Sequence, residues 1–326
     1  MDLSVIIVNF RGWKSLKECL DELAAFTGTG FRCEVIIVDN NSADGMIDDF
    51  RKQYPHFNFI INNVNGGFAN GCNLGSKNAK GEFFLFLNPD TVASENEVGR
   101  LLERARENRS DYISSCRQIN ESGRESKAFG LFPRFGTLTG FERSVYRVLR
   151  RRLFTQNTKA INNVIRPDWI SGSVVMINNE IFRKLGGFDD DFWMYYEDTD
   201  LCKRARDKKG EIAFYTDITI QHNHGGSSRV NLDTASLTKT EVLISRHIYI
   251  SKHMSGAGRI LIQTYLVVNN IMSGIILAII GLMFFLSEPR IFVRVHIYGK
   301  LIGYYAKALM KRSWISPRSV HFIKND

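Results

Sequence analysis

The sequence predicts an α/β fold: a mixed, mostly parallel sheet over residues 1–235, then a helical region over residues 236–326. Short β-branched or aromatic runs alternate with helix-patterned segments, as βαβ units require. Each early run ends in polar residues, where open sheets of this kind bind ligands. Past residue 230 the composition turns apolar and then basic, which marks off the second region.

Leu3–Phe10 is a compact β-branched run, the pattern of a strand buried on both faces. Trp13, Leu16, Leu20 and Leu23 then share one face of an amphipathic helix. Glu34–Asp39 (EVIIVD), Phe57–Ile61 and Glu82–Leu87 (EFFLFL) give three more strands. The strand ends read Asn9, Asp39-Asn40-Asn41-Ser42 and Asn88-Pro89-Asp90. Residues 129–166, with Arg147 and Arg150-Arg151-Arg152, show little periodicity and read as a surface insertion. Trp169–Ile177 is strand-like again, a helix begins at about Asp198, and a strand lies near Glu211–Tyr215.

With 44% hydrophobic and 24% charged residues, the chain can bury a substantial core. Its net charge of +9 suits nucleic acid, anionic lipid or a phosphorylated substrate and does not choose among them. Cys19, Cys33, Cys72, Cys116 and Cys202 have no metal or redox spacing and are expected as buried, reduced thiols. The opening MDLSVIIVNF has no basic stretch before its apolar run, so it reads as a core strand and not a signal peptide.

Several motifs have chemistry to offer. Asp39 is either a turn acid or a carboxylate accepting hydrogen bonds from a nucleoside. The loop from Asn65 to Asn73 (NGGFANGCN) is an ordinary loop or one whose amides approach a phosphate or base. Asp90 is a turn acid or a ligand for Mg²⁺ or Mn²⁺ bridging a diphosphate. Glu197, Asp198 and Asp200 crowd the start of a helix. They either complement its dipole or, beside Trp193, Tyr195 and Tyr196 in a partly dry cleft, supply a general base. His222 and His224 are hydrogen-bonding histidines or metal ligands.

Taken in order, VIIVNF, VDNNS, NGGFANGCNLG, FLNPDT, WISGSVVMI, GGFDDDFWMYYEDTDLCKR and HNHGGSS resemble the family 2 glycosyltransferases of GT-A fold. The likeness covers about residues 3–230 and is greatest to bacterial rhamnosyltransferases of cell-surface polysaccharide (O antigen) assembly, the WbbL-like group. It implies an inverting transferase using a nucleotide-sugar donor, Mg²⁺ or Mn²⁺, and a saccharide acceptor on a polyprenyl diphosphate. By the same resemblance Asp39 contacts the nucleoside, with Asn9, Asn65, Gly67, Phe68, Asn73 and Asn88 on the donor side. Asp90 binds the metal with His222, or less favourably His224. Asn88 stands where many members have the first Asp of the metal motif, which leaves one carboxylate there. Asp198 is the base, with Glu197 in reserve, and Trp169, Ser171 and Gly172 line the acceptor side.

Two other classes stay open. A nucleotidyltransferase would carry a glycine-rich, basic loop after the first strand, where this chain has NFRGWKS. A non-catalytic basic binding module would show salt-sensitive binding without turnover; no nucleic-acid partner is expected. Residues 260–287 carry no charge, near the length needed to span a bilayer. A single span would place the basic tail outside, against the positive-inside tendency. The reading is therefore a re-entrant or interfacial anchor, bent near Asn269, Asn270, Gly274 or Gly281, on the cytoplasmic face of the inner membrane. Its Lys and Arg would meet anionic lipid of the inner leaflet.

Overall fold

A computed structural model describes residues 1–134, 159–223, 232–283 and 289–323. The arginine run of the insertion and His224 lie outside these. The chain forms two compact units. One is Met1–Asp189 with Glu197–Gly226; the other is Asp190–Tyr196 with Ser227–Asp326.

The first unit is built on a mixed sheet. Its strands are β1 (Leu3–Asn9), β2 (Cys33–Asp39), β3 (Asn58–Ile61), β4 (Phe83–Leu87), β5 (Thr91–Val92), β6 (Asp111–Ile119), β8 (Val164–Ile165), β10 (Val174–Asn178) and β11 (Glu211–His222). The order is β3-β2-β1-β4-β10-β6-β11-β5, with β8 beside β11. Strands β3, β2, β1 and β4 run parallel, whereas β10 is antiparallel to both β4 and β6. A small second sheet pairs β7 (Phe129–Gly130) with β9 (Trp169–Ile170). The strand expected over Trp169–Ile177 is thus two strands in different sheets, broken at Ser171–Ser173. The expected strand at Glu211–Tyr215 continues to His222.

Strand β1 explains the layers, because alternate residues face opposite ways. Leu3, Val5 and Ile7 join a core with Trp13, Leu16 and Leu20 of α1 (Trp13–Ala24) and with Val98, Leu101 and Leu102 of α4 (Glu95–Glu107). Ile6 and Val8 face α3 (Gly67–Lys77), where Gly71 and Gly75 let the helix backbone come down onto the strand. A Cβ at Gly71 would stand 2.6 Å from a Val8 methyl. Phe84 and Phe86 pack with Phe182 and Phe188, at ring-centroid distances of 5.0–5.7 Å between those in contact. Phe182 belongs to α5 (Asn179–Leu185), and α6 (Glu197–Asp207) completes the unit together with α2 (Met46–Gln53). All five cysteines are free thiols, and four of them are buried.

The second unit holds α7 (Leu232–His253), α8 (Gly256–Met283), α9 (Pro289–Lys311) and α10 (Val320–Ile323). Helix α8 runs unbroken through Asn269, Asn270, Gly274 and Gly281, so the expected bend is absent. Those residues have packing and hydrogen-bonding roles instead: a Cβ on Gly274 would meet Tyr298 at 2.9 Å, and Asn270 donates to the Tyr305 hydroxyl at 2.8 Å. The unit's interior is apolar, with Ile244, Ile248, Leu266 and Leu301 buried, and encloses a polar cluster. His247 Nδ1 lies 2.5 Å from Gln263 Oε1 and its Nε2 3.1 Å from the Tyr305 hydroxyl, with Trp314 stacked on the imidazole. The segment Asp190–Tyr196 is tied into this unit, with Asp191 between Lys252 and His321 and the Met194 carbonyl accepting from Ser245.

Candidate active site

The site grows from the carboxyl ends of β1, β2 and β4. Asn9 is fully buried; its Oδ1 accepts from the Gly12 amide at 3.1 Å, while its Nδ2 has no hydrogen-bond partner. Asp39 is buried and accepts from the Ser42 hydroxyl and amide. Burial pushes its pKa up, and the Ser42 bonds work against that. Next to it, Asn40 donates to Asn65 Oδ1 and to the Gly67 carbonyl, both at 3.0 Å, and accepts from Asn62 at 2.8 Å. Asn65 also accepts from the Gly67 amide at 3.2 Å. The asparagines therefore brace the loop into α3, which starts at Gly67 with φ of 84°.

Two residues expected to touch ligands bind backbone instead. The Asn73 side chain donates to the Phe188 carbonyl at 2.7 Å and accepts from its amide at 2.9 Å, so it clamps the loop before the acidic helix. The Trp169 indole donates to the Leu131 carbonyl at 2.8 Å and covers Gly130. Asp200, the helix-start acid, is bound by Arg204, which also holds the Leu185 and Gly187 carbonyls. Trp193 lies under Arg318 and Tyr196 beside Tyr249, so these two aromatics pack within the helical unit.

The break between β9 and β10 is the hub. The Gly172 amide donates to Asp198 Oδ2 at 2.8 Å. The Ser173 carbonyl accepts from the Asn88 amide at 3.0 Å, and its hydroxyl donates to Gln118 Oε1 at 2.8 Å and lies 3.0 Å from the Ser171 hydroxyl. Phe68 closes over the same turn, since a Cβ on Gly172 would lie 3.3 Å from its ring and 3.6 Å from Asp198. Three residues in sequence thus connect the acid of α6, the turn carrying Asp90, and β6.

Asp90 Oδ1 lies 3.2 Å from His222 Nε2, and the Asn223 amide donates to the Asp90 carbonyl at 2.9 Å. His222 Nδ1 is 2.8 Å from Gln118 Oε1. A cation shared with Asp90 would need the Nε2 lone pair and so the hydrogen on Nδ1, where Gln118 Oε1 can accept it. That pairing of one carboxylate with one imidazole suits a divalent cation that takes its other ligands from phosphate oxygens and water. Among the described residues no group of three such side chains could hold a metal without them. Gln118 had no sequence signal of its own: it is one polar residue in the alternating strand DYISSCRQI.

Glu197 and Asp198 behave differently. Glu197 is buried with Oε2 unpartnered, and burial followed by the neighbouring Asp198 drives its pKa well above the ordinary value. Asp198 is half-buried; burial raises its pKa too, but the Gly172 amide and the Thr199 amide (2.6 Å) and hydroxyl (3.1 Å) favour its anion. Of these adjacent acids, Asp198 is the one whose anion is hydrogen-bonded, whereas Glu197 Oε2 has no donor.

A mixed sheet with carboxylates and a histidine gathered at its ligand-binding edge defines a GT-A-type transferase domain. Its solved relatives by shape share that architecture. The mannosyltransferase PcManGT from Pyrobaculum calidifontis, solved with GDP-Man and Mn²⁺, matches with a TM-score of 0.54 at 14% identity, over 95% of this chain and 88% of that one. GalNAc-T7, solved with UDP, GalNAc and Mn²⁺, gives 0.54 at 17% identity, over 77% of this chain and 50% of that one. The chain belongs to glycosyl transferase family 2, whose profile matches residues 4–186; residues 158–224 also match the N-terminal domain of galactosyltransferase.

Relatives by sequence share somewhat more identity than these structures. The chain is 26% identical over 239 residues to the low-salt glycan biosynthesis hexosyltransferase Agl10 of Haloferax volcanii, spanning 68% of this chain and 67% of that one. It is 24% identical over 176 residues to rhamnosyltransferase WbbL of Escherichia coli K12, spanning 52% and 65%. It is 22% identical over 240 residues to the N-acetylglucosaminyl-diphospho-decaprenol L-rhamnosyltransferase of Mycobacterium tuberculosis, spanning 65% and 73%. The chain therefore aligns with about two thirds of the length of each.

Proposed function

We propose that the protein is an inverting, divalent-metal-dependent rhamnosyltransferase of the WbbL-like group. It moves L-rhamnose from dTDP-β-L-rhamnose to a saccharide on polyprenyl diphosphate, at the cytoplasmic face of the inner membrane. The observation that carries the reading is the turn Ser171–Ser173, which joins Asp198 to the Asp90–His222 pair. The sugar rests on the two rhamnosyltransferase relatives and on Asn88 in place of a first metal-binding Asp. Membrane residence rests on α8, the one helix among the described residues long and apolar enough to cross a bilayer. Its inward face carries Gln263 and Asn270, while Ile260, Leu261, Val268, Met272, Ile275 and Ile279 face outward. A helix lying in the membrane interface has this polarity.

The steps assign roles to the chain's own residues. Asp39 accepts from the nucleoside, and the unpartnered Asn9 amide donates to the same ligand. Asp90 and His222 would hold the cation, whose charge would offset the negative charge growing on the departing diphosphate. Asp198 takes the acceptor hydroxyl proton as that oxygen attacks the anomeric carbon from the face opposite the diphosphate. The new C–O bond forms as the bond to dTDP breaks, and the product is an α-L-rhamnoside. Burial disfavours charge on Glu197 beside Asp198.

A UDP-linked hexose or N-acetylhexosamine is the second reading, favoured by the hexosyltransferase relative. Incubation with Mg²⁺ and a panel of nucleotide sugars separates the two: consumption of dTDP-rhamnose alone supports the first, and consumption of a UDP-sugar alone replaces it.

A further inference from the structure

We propose that a pocket in the helical unit binds the phosphate headgroup of an anionic phospholipid. This rests on the membrane reading above and gives that contact a specific place. The pocket has a volume of about 590 Å³ and lies between the start of α8 and the end of α9. Arg259 and Arg312 stand in its wall, and no acidic residue lines it. Neither arginine has an ion pair among the described residues, so both guanidinium groups are available to an anion.

The wall also offers hydroxyls from Thr264 and Ser313, the donors a phosphate ester needs beyond charge, whereas the Ser251 hydroxyl already donates to the Ile248 carbonyl. Ile260, Val267 and Val268 form its apolar lip. From that lip the exposed stripe continues along α8 through Met272, Ile275 and Ile279 to Leu282. A headgroup seated between the arginines would direct its acyl chains along this stripe. Trp314, with its polar N–H and apolar ring, stands at the same level, where interfacial aromatics are favoured.

Arg312 ends α9 in the left-handed region, with φ of 50°, and the Ser313 amide returns to the Ala308 carbonyl at 3.1 Å.

The test is flotation of the full chain with phosphatidylcholine vesicles, with and without phosphatidylglycerol. Wild type is expected to prefer the anionic vesicles, and Arg259→Gln/Arg312→Gln to lose about tenfold or more of that affinity. The control Arg294→Gln/Lys307→Gln removes equal charge from exposed positions outside the pocket and should lose less than about threefold. Thermal unfolding confirms that both pairs fold. Equal losses in the two pairs would reduce the pocket to generic charge and overturn the proposal while leaving membrane binding intact. Calorimetric binding of inorganic phosphate without any vesicle preference would reassign the pocket to a soluble anion and also overturn it. Failure of wild type to bind either vesicle would sink the membrane reading itself, and the headgroup site with it.

Discussion

In the sheet unit, Leu3–Val8 and Phe83–Leu87 are buried along their length, and polar side chains wait at the strand ends. In the helical unit the buried set includes Ser245, His247, Gln263 and Asn270, while isoleucines and leucines of α8 face outward. The first arrangement is what water selects: apolar burial drives folding and polarity is kept for the ligand edge. The second is unfavourable in water and suited to a lipid boundary, where internal hydrogen bonds are best made inside. The difference teaches that the outer face of α8, and not the interior of its unit, is where the two units diverge.

The comparison can be broken most sharply at the ligand edge. Asp90→Ala should reduce turnover below detection and remove metal-dependent donor binding, while circular dichroism and thermal unfolding stay near wild type. Near-normal activity at saturating donor would end the metal assignment. Asp198→Asn should retain donor binding by calorimetry and lose about 10²-fold or more in transfer. With Asp198 raised by burial, wild-type activity should climb with pH through a value above the ordinary carboxylate range, and then level. An inert Glu197→Gln beside an active Asp198→Asn would exchange the two roles.

Gln118 tests whether polar burial in the sheet unit serves the metal. Gln118→Ala should weaken Mn²⁺ binding by about 10- to 100-fold in an electron paramagnetic resonance titration, because His222 loses the partner that sets its tautomer. Unchanged Mn²⁺ affinity would make Gln118 a packing residue. In the helical unit, Ile276→Lys should leave unfolding within about 0.5 kcal/mol, since the side chain is 52% exposed. The same change should lower vesicle binding roughly tenfold or more. A variant that floats like wild type would remove α8 from the membrane.

The smallest effect concerns Glu241, buried against Ser316 and near Arg318. Burial raises its pKa from 4.5 to about 7. A raised pKa means stability that is present below the ordinary value and lost as pH rises through about 7. Glu241→Gln should therefore flatten the decline in melting temperature between pH 5 and pH 8; an unchanged slope would place the decline elsewhere.

The sequence made the ligand edge legible because Asn9, Asp39 and Asp90 directly end or follow short apolar runs whose burial is local in origin. It did not reveal that β10 would enter the sheet between β4 and β6, which depends on pairing between distant segments. For the same reason the sequence gives no sign of Gln118, or of the backbone partners of Asn73 and Trp169. The partners of those two side chains, Phe188 and Leu131, are set by tertiary contact. The expected bend in α8 failed because Gly274 and Asn270 are helix-compatible residues once a neighbouring helix packs on them.

The place of β10 also sets an order in time. As the chain leaves the ribosome, β1 to β4 can pair as parallel units while the centre of the sheet is still unmade. The strand that bridges β4 to β6 comes only at Val174–Asn178, and the histidine beside Asp90 only at residue 222. A nascent chain would carry its nucleoside edge well before it could hold a cation, so catalytic competence arrives with the last strand and not with the first.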